Sequence, residues 1–457
     1  MKMESTIKTT SVIGLGKLGA CMAGCFAAKG FPTIGVDLNI NFVDVINAGK
    51  APVDETDLTE IITKGQSRLS ATQDYGKAIL ESDATFVIVP TPSEVHGGFS
   101  LKYVKKSFEE IGKVLKKKKQ GYHLIVLTST VLPGGTEYGL IPILEEISGK
   151  KCGVEFGVCY SPEFIALGSV IRDFLNPDFV LIGQSDKKAG GLLAAFYKKV
   201  CDNDPPIARM NIINAELTKL SVNSFMTMKI SFANLISNLC EKLPGGNVDV
   251  VTETLALFGG IGKKSLRGGL GYGGPCLPRD NVALSYLIKN LGYEISLPSA
   301  VDQFNRSLVS KLFDIVLKHS QKGSSILVLG LSYKPHTWVI EESQGIALSK
   351  FLADSGYELN VYDPKAMEVA KQVLPPTINF ANSLEEAVQN SDIVVITTPN
   401  QDFKRLSSLI SAQKKQFVVI DAWRCLPELS QNSSVKYIPL GIGLDNNLKD
   451  KLLQLSM

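Results

Sequence analysis

Cys276 lies in Gly271-Tyr272-Gly273-Gly274-Pro275-Cys276-Leu277-Pro278-Arg279-Asp280, far downstream of a second glycine-rich segment, Gly14-Leu15-Gly16-Lys17-Leu18-Gly19. The second segment has the spacing of a turn that cradles a dinucleotide pyrophosphate. A thiol working with such a cofactor traps an aldehyde as a thiohemiacetal. Loss of a hydride then leaves a thioester, so an alcohol is carried to an acid. A cysteine in a glycine-rich turn also fits a buried, inert residue, and taken alone the loop favours that reading. Two further segments, and the rest of the cysteine loop, reverse it. Glu163 stands in Ser161-Pro162-Glu163-Phe164, after an apolar run. Lys219 and Asn223 stand four apart where a long helical pattern opens, and so share a face. Asp280 follows Cys276 by four residues. Carboxylates, an ammonium, an amide and a thiol from separate elements form a set for acid–base and covalent chemistry.

Gly14, Gly16 and Gly19 follow a strand pattern and open a helix. They permit the tight turn, the close approach of a pyrophosphate and the packing of helix on strand, with helix N–H groups facing the anion. Lys17 and Leu18 belong to the same turn. Asp37 ends the next strand, where a ribose-binding acid belongs. Its carboxylate accepts from both ribose hydroxyls and repels a 2′-phosphate, which favours NAD over NADP. Val89-Pro90-Thr91-Pro92 and Thr128-Ser129-Thr130-Val131 each follow an apolar strand. Ligands bind beyond the carboxyl ends of strands in open parallel sheets, so Thr91 and Thr130 are candidates to line the pocket. Loop hydroxyls are usually only local turn caps, so each alone carries little weight.

These groups need a scaffold. Strand patterns at Thr10–Leu15, Thr33–Val36, Ala84–Val89, His123–Leu127, Glu155–Tyr160 and Phe179–Ile182 alternate with helical stretches, which argues a doubly wound parallel sheet. From Asn214 the pattern becomes helical: Asn214–Lys242, Val248–Leu257, Asn281–Leu291 and Val301–His319. Long helices of this kind carry dimer contacts about as often as purely internal ones. Strand–helix alternation resumes at Ser325–Leu329, Glu358–Tyr362, Asp392–Thr397 and Phe417–Ile420. The expected fold class is α/β: two Rossmann-like doubly wound domains joined by a central all-helical region. The segment from Asp445 to Met457 reads as a polar, mobile tail.

The chain has 457 residues, 44% of them apolar and 20% charged, enough for two or three domains with sizeable cores. A net charge of +3 implies neither nucleic acid nor an anionic membrane as partner. The run Lys116–Lys119 reads as a solvated helix end. Eight scattered cysteines without a C-x-x-C pair, and only four histidines, suggest no disulfide framework and no metal site. A cytoplasmic location is expected. Residues 11–28 are apolar, but their glycine spacing fits a folded core rather than a signal peptide. No run is long enough to span a bilayer.

Together these segments resemble the UDP-glucose/GDP-mannose 6-dehydrogenase family of nucleotide-sugar dehydrogenases. The resemblance runs over roughly residues 10–440. It rests on the Gly14 loop, Ser129-Thr130-Val131, Ser161-Pro162-Glu163-Phe164, Glu216-Leu217-x-Lys219 and Gly273-Gly274-x-Cys276-x-x-x-Asp280. Asn176-Pro177-Asp178 and Val328-Leu329-Gly330-Leu331-Ser332-Tyr333-Lys334 also look like family segments. The resemblance implies an NAD-binding domain over 1–210, a central helical domain with the cysteine loop over 211–322, and a nucleotide-sugar-binding domain over 323–457. It implies a homodimer or larger homo-oligomer. It implies oxidation of the C6 hydroxyl of a nucleotide sugar to the carboxylate, with UDP-glucose as the default. GDP-mannose and UDP-N-acetylhexosamines are the alternatives. A proton leaves through a water held by Asp280, Thr130 and Lys219, Cys276 captures the aldehyde, Lys219 and Asn223 steady the oxyanions, and Glu163 assists hydrolysis of the thioester. Phe164, Arg267, Gly273, Tyr333 and Lys334 fall at substrate-contact positions.

The departures concentrate at substrate contacts. Gly260 stands where the family commonly has an arginine that reaches the partner subunit's sugar, and Ser265 replaces a phenylalanine. Glu341 stands at an arginine position that contacts NAD, while Phe179 replaces an arginine and Leu167 an acid. Arginine to glycine or glutamate does not preserve charge. The expectation is an intact chemical apparatus with an altered grip on the sugar. Two rivals remain. A β-hydroxyacid dehydrogenase needs neither the cysteine nor a second α/β domain. A degenerate protein that binds NAD or a nucleotide sugar without turnover accommodates the lost arginines.

Overall fold

A computed structural model describes residues 6–119, 121–321 and 323–443, together with Gln454. The tail read from Asp445 onward therefore lies, but for Gln454, outside the described residues. The chain separates into two compact units, Met1–Ser221 and Val222–Met457.

Eight described strands build the sheet of the first unit: β1 (Thr10–Ile13), β2 (Thr33–Val36), β3 (Leu69–Thr72), β4 (Ala84–Val87), β5 (His123–Leu127), β6 (Phe156–Tyr160), β7 (Val180–Gln184) and β8 (Ile207–Met210), in the order β3-β2-β1-β4-β5-β6-β7-β8. β1, β4, β5 and β6 are buried along their whole length. Continuous apolar runs of this kind belong to strands covered by helices on both faces. The sheet is parallel except that β7 runs antiparallel to β6, through Cys159–Gln184 and Tyr160–Gly183. The all-parallel expectation is corrected there: the connection from Tyr160 to Val180, which carries the helix Val170–Leu175, returns the chain beside β6 in the opposite sense. β3 and β8 escaped the sequence reading because each is four residues long and lacks a continuous apolar run.

The second unit carries a six-stranded parallel sheet: β9 (Ser325–Leu329), β10 (Glu358–Tyr362), β11 (Asn379–Phe380), β12 (Ile393–Ile396), β13 (Phe417–Asp421) and β14 (Val435–Pro439), ordered β11-β10-β9-β12-β13-β14. This is the doubly wound order, with a switch point between β9 and β12. Its core gathers Val328, Leu348, Val361, Val395 and Ile420 on one face and Leu327, Leu384, Ile396, Phe403 and Val419 on the other. Helices Val248–Leu257, Leu277–Asn290 and Leu297–His319 precede the sheet. Asn247 caps the first by accepting from Asp249 and Val250 N–H, and Ser296 caps the third by accepting from Ser299 N–H. A 29-residue helix, Ile212–Cys240, begins in the first unit and ends in the second. Among the described residues no helix is long and apolar enough to cross a membrane.

Candidate active site

The glycine turn after β1 has the geometry its spacing implies. Gly14 has φ +94°, and a Cβ there would stand 2.9 Å from the Ile88 carbonyl carbon. A Cβ on Gly19 would stand 2.9 Å from the Gly14 carbonyl carbon and nearer still to its oxygen. A Cβ on Gly16 would meet nothing within 4 Å. Two glycines thus close the turn, and the third faces open space where an anion can approach. Lys17 and Leu18 complete the turn, where Ala20 N–H already donates to Gly16 O at 3.0 Å. Asp37 is half-buried just beyond β2. Its Oδ2 accepts from Leu15 N–H at 2.7 Å and its Oδ1 from Asn39 N–H at 2.8 Å, which aims the carboxylate along the turn. These residues fit the diphosphate and ribose of a dinucleotide.

The second sheet repeats this turn and then departs from it. Gly330 has φ +105°, and a Cβ on Gly345 would stand 3.1 Å from the Gly330 carbonyl carbon. Asp363, the counterpart of Asp37, is buried and saturated. Oδ2 accepts from Leu331 N–H, Ser332 N–H and Ser332 Oγ, and Oδ1 from Lys365 and Ala366 N–H. With no lone pair turned outward it cannot grip a ribose in the manner available to Asp37. Leu331–Ser343 replaces the short glycine loop and carries Tyr333 and Lys334.

At the carboxyl ends of β4 and β5 the two threonine loops are stitched together. Thr91 Oγ1 donates to Thr130 O at 2.8 Å, and Ser129 Oγ donates to Val89 O at 2.6 Å. Thr91 is buried and its hydroxyl proton serves this loop contact, while Thr130 stays partly exposed. Glu216 fixes the following turn. Its buried carboxylate accepts from Gly134 N–H at 2.6 Å and Thr136 N–H at 2.8 Å. Burial pushes this carboxyl upward, and the hydrogen bonds oppose the rise. One turn of helix further on, Lys219 Nζ donates to Glu163 O at 2.6 Å and lies 4.5 Å from the Phe164 ring centroid. Glu163 is half-buried. Desolvation pushes its carboxyl up to about 7, against the lowering effects of a bond from Tyr197 and of Lys219. Phe179 packs its ring on Phe164 with centroids 4.9 Å apart. Leu167 packs onto the apolar core nearby.

In the second unit Cys276 is exposed, which overturns the buried-cysteine alternative. It occupies the N-cap of the Leu277–Asn290 helix, a start the sequence reading placed four residues later. Pro278 is at home in this first helical turn, where its missing N–H costs nothing. Asp280, in the same first turn, is buried, and Asn223 Nδ2 donates to its Oδ2 at 2.6 Å. The loop before the cysteine is clamped. Asn305 accepts from Tyr272 N–H at 2.8 Å and donates to Tyr272 O at 3.0 Å. Gly274 N–H donates to Glu341 O at 2.8 Å, and a Cβ on Gly274 would stand 2.6 Å from Tyr333 Cε2. Gly273 is packed as tightly, with Tyr333 Cβ 3.3 Å from where its own Cβ would be. Glu341 therefore supports the loop through its backbone. Lys334 Nζ lies 5.7 Å from the Tyr333 ring centroid. Arg267 donates to Trp423 O at 3.1 Å, with its guanidinium 5.6 Å from the Trp423 ring.

Two residues of evident importance were not assigned a role from sequence. Tyr197 donates to Glu163 from 34 positions away, and no local signal connects them. Arg424 forms a two-pronged ion pair with Asp249 and donates to Ala422 O, Leu440 O and Gly268 O.

Three family models match in order along the chain. They are the NAD binding domain (residues 8–201), the central domain (213–307) and the UDP binding domain (327–428) of the UDP-glucose/GDP-mannose dehydrogenase family. A GDP-mannose 6-dehydrogenase of Pseudomonas aeruginosa is 35% identical over 89% of this chain and 94% of that protein. A UDP-glucose 6-dehydrogenase of Haloferax volcanii is 34% identical over 90% of this chain and 95% of that protein. A UDP-glucose dehydrogenase structure from Pyrobaculum islandicum superposes with a TM-score of 0.86 at 30% identity, covering 97% of this chain and 99% of that one.

Proposed function

The chain belongs to the UDP-glucose/GDP-mannose dehydrogenase family of NAD-dependent nucleotide-sugar dehydrogenases, and we propose that it oxidises the C6 hydroxyl of UDP-glucose by four electrons to the carboxylate through a thioester on Cys276. The observation that carries this reading is the cysteine itself. Its thiol is exposed at a helix N-cap, where the helix N-terminus favours an anion, and its loop is held by Asn305, Glu341 and Tyr333. A two-electron alcohol dehydrogenase needs no such thiol.

The Gly14–Gly19 turn and Asp37 hold NAD, with Thr91 and Thr130 at the neighbouring strand ends. When bound, NAD accepts hydride from the substrate carbon. The family resemblance assigns Asp280, Thr130 and Lys219 to the water through which the hydroxyl proton departs. Cys276 Sγ then adds to the aldehyde carbon, the carbonyl π bond opens onto oxygen, and Lys219 and Asn223 donate to that oxygen. Loss of a second hydride from the thiohemiacetal carbon, for which a second NAD would be the acceptor, leaves the thioester, and water then adds to its carbon as Glu163 takes a proton. The C–S bond then breaks, restoring the thiol and releasing the acid. A carboxyl with its pKa near 7 is suited to this, being substantially ionised yet basic enough to take a proton.

We assign residues 1–210 to NAD, 211–322 to the central helical region and 323–457 to the nucleotide sugar, with Phe164, Arg267, Gly273, Tyr333 and Lys334 as its contacts. The order of the family matches supports this division. The proposed assembly is a homodimer or larger. Phe225, Phe232, Leu235 and Leu239 are exposed on the Ile212–Cys240 helix at spacings of seven, three and four, an apolar stripe suited to a second copy of the chain. We place the reaction in the cytoplasm. GDP-mannose is the second candidate substrate, supported by the relative at 35% identity. Comparison of kcat/KM for UDP-glucose, GDP-mannose and UDP-N-acetylhexosamines tests the assignment. A preference of about tenfold for another sugar, equal to roughly 1.4 kcal/mol in transition-state binding, rejects UDP-glucose.

A further inference from the structure

Glu163 has a partner the reaction scheme does not use. Tyr197, on the Lys187–Val200 helix, donates its phenol to Glu163 Oε1 at 3.2 Å. The ring is 2% exposed and lies edge-on to Phe174 and Phe196, with centroids 6.4 and 6.0 Å away. Behind the phenol, the single proton of Ser161 Oγ is shared between Tyr197 Oη at 3.3 Å and Leu181 O at 2.9 Å. Ser161 and Glu163 are two residues apart, so one short loop supplies both the group behind the phenol and the group before it. A tyrosine hydroxyl pinned in this way points in one direction only.

We propose that Tyr197 is a positioning residue for Glu163, fixing the carboxyl by its hydrogen bond and favouring the ionised form so that it serves as a base. The proposal rests on the role assigned to Glu163 above. The other groups acting on Glu163 are few. Lys219, from the Ile212–Cys240 helix, donates to the Glu163 main-chain oxygen and favours the ionised carboxyl. The Cys25 and Cys201 thiols respond to the charge of Glu163, and burial holds both above the usual thiol range, so they stay neutral. The Tyr197 phenol is likewise held well above its ordinary range, chiefly by burial and then by Glu163 itself. It remains a donor throughout the working pH range. A donor that never titrates steadies the carboxylate and lowers its proton affinity. Removing it must raise the carboxyl above its present value of about 7.

Tyr197→Phe keeps the ring and removes the donor. Glutamate labelled with ¹³C at the carboxyl carbon gives a direct readout, with the Glu163 resonance identified by its loss in Glu163→Gln. The expected result is a rise in the Glu163 titration midpoint by about 1–2 pH units, the size of one hydrogen bond to a charged group. The acid limb of turnover moves by the same amount, while the rate on the alkaline plateau recovers to within about twofold. An unmoved midpoint overturns the proposal, as does a uniform loss of rate at all pH values. Should Tyr197→Phe fail to fold, Ser161→Ala weakens the same chain from behind and is expected to move the midpoint upward by a smaller step. No movement there overturns the proposal equally. Glu163→Gln separates the two levels of the argument. If it turns over normally and accumulates no thioester by intact-protein mass spectrometry, the base assignment fails whatever the titration of Glu163 shows.

Discussion

Gly16 and Gly19 stand three residues apart in one turn and should fail in opposite ways when changed to alanine. A Cβ on Gly19 meets the Gly14 carbonyl, whose carbon is 2.9 Å away and whose oxygen is closer. Ordinary contact needs roughly 3.5–4 Å. The obstacle is main chain, which has no rotamer to change, so helix and strand must part by more than an ångström. Overpacking costs about 1–3 kcal/mol, and immovable backbone places Gly19→Ala at the upper end. That corresponds to a fall in Tm of roughly 6–12 °C for a unit of this size. The Gly16 position has nothing within 4 Å and no positive φ, so Gly16→Ala costs the fold nothing and gains up to ~1 kcal/mol by stiffening the unfolded chain. Its methyl instead occupies the space needed by the pyrophosphate. NAD affinity should weaken by about ten- to a hundredfold, or ~1.4–2.8 kcal/mol. Thermal unfolding followed by circular dichroism reads the first quantity, and calorimetric titration with NAD reads the second. A Gly16→Ala protein that loses stability but binds NAD normally would refute the reasoning, as would a Gly19→Ala protein with unchanged Tm.

Other expectations use the same logic. Glu163 carries a folded pKa of about 7 against an ordinary 4.5, so between those values the native state binds more protons than the unfolded one, and stability falls as pH rises through the window. Above pH 7 the penalty reaches about 3 kcal/mol at most. Glu163→Gln should therefore raise Tm at pH 8 and leave it nearly unchanged at pH 4, and denaturation across this range checks the sign. Arg424→Ala removes both prongs of the Asp249 pair and three carbonyl contacts, and should cost the second unit about 3 kcal/mol or more in urea unfolding. Phe232→Glu places a charge in the exposed stripe of the long helix, and sedimentation should show dissociation of any dimer without loss of helix content. An unchanged sedimentation coefficient relative to a dimeric parent moves the interface elsewhere.

The strands that surround the site were legible because they are largely buried and therefore mostly apolar. Thr33–Val36, His123–Leu127, Ser325–Leu329 and Glu358–Tyr362 stand at the residues their sequence implies. Edge strands such as Leu69–Thr72 and Val435–Pro439 are short or half-exposed, so their side chains carry little of that pattern. The Leu277–Asn290 helix began four residues earlier than its sequence suggested, with Pro278 in its first turn. At the site, spacing pointed to the glycine turn and Asp37, and the pairing of Lys219 with Asn223 follows from helix geometry. What sequence alone withheld was tertiary. Examples are the phenol of Tyr197 on Glu163, the Glu216 carboxylate across the Gly134–Thr136 turn and the backbone of Glu341 under Gly274. The substitution of Glu341 for a family arginine looked like a loss at the cofactor, yet in the fold the residue's main chain buttresses the cysteine loop. Asp37 and Asp363 follow equivalent strands, and burial together with the count of their hydrogen bonds separates a carboxylate with acceptor capacity to spare from a saturated one.

The central claim is a four-electron oxidation through Cys276. Purified protein with excess NAD and a limiting amount of UDP-glucose should yield two NADH for each sugar consumed, and Cys276→Ser should yield fewer than two, with no thioester on the protein. One NADH per sugar from the unaltered chain, with aldehyde accumulating, or two from Cys276→Ser, would contradict it.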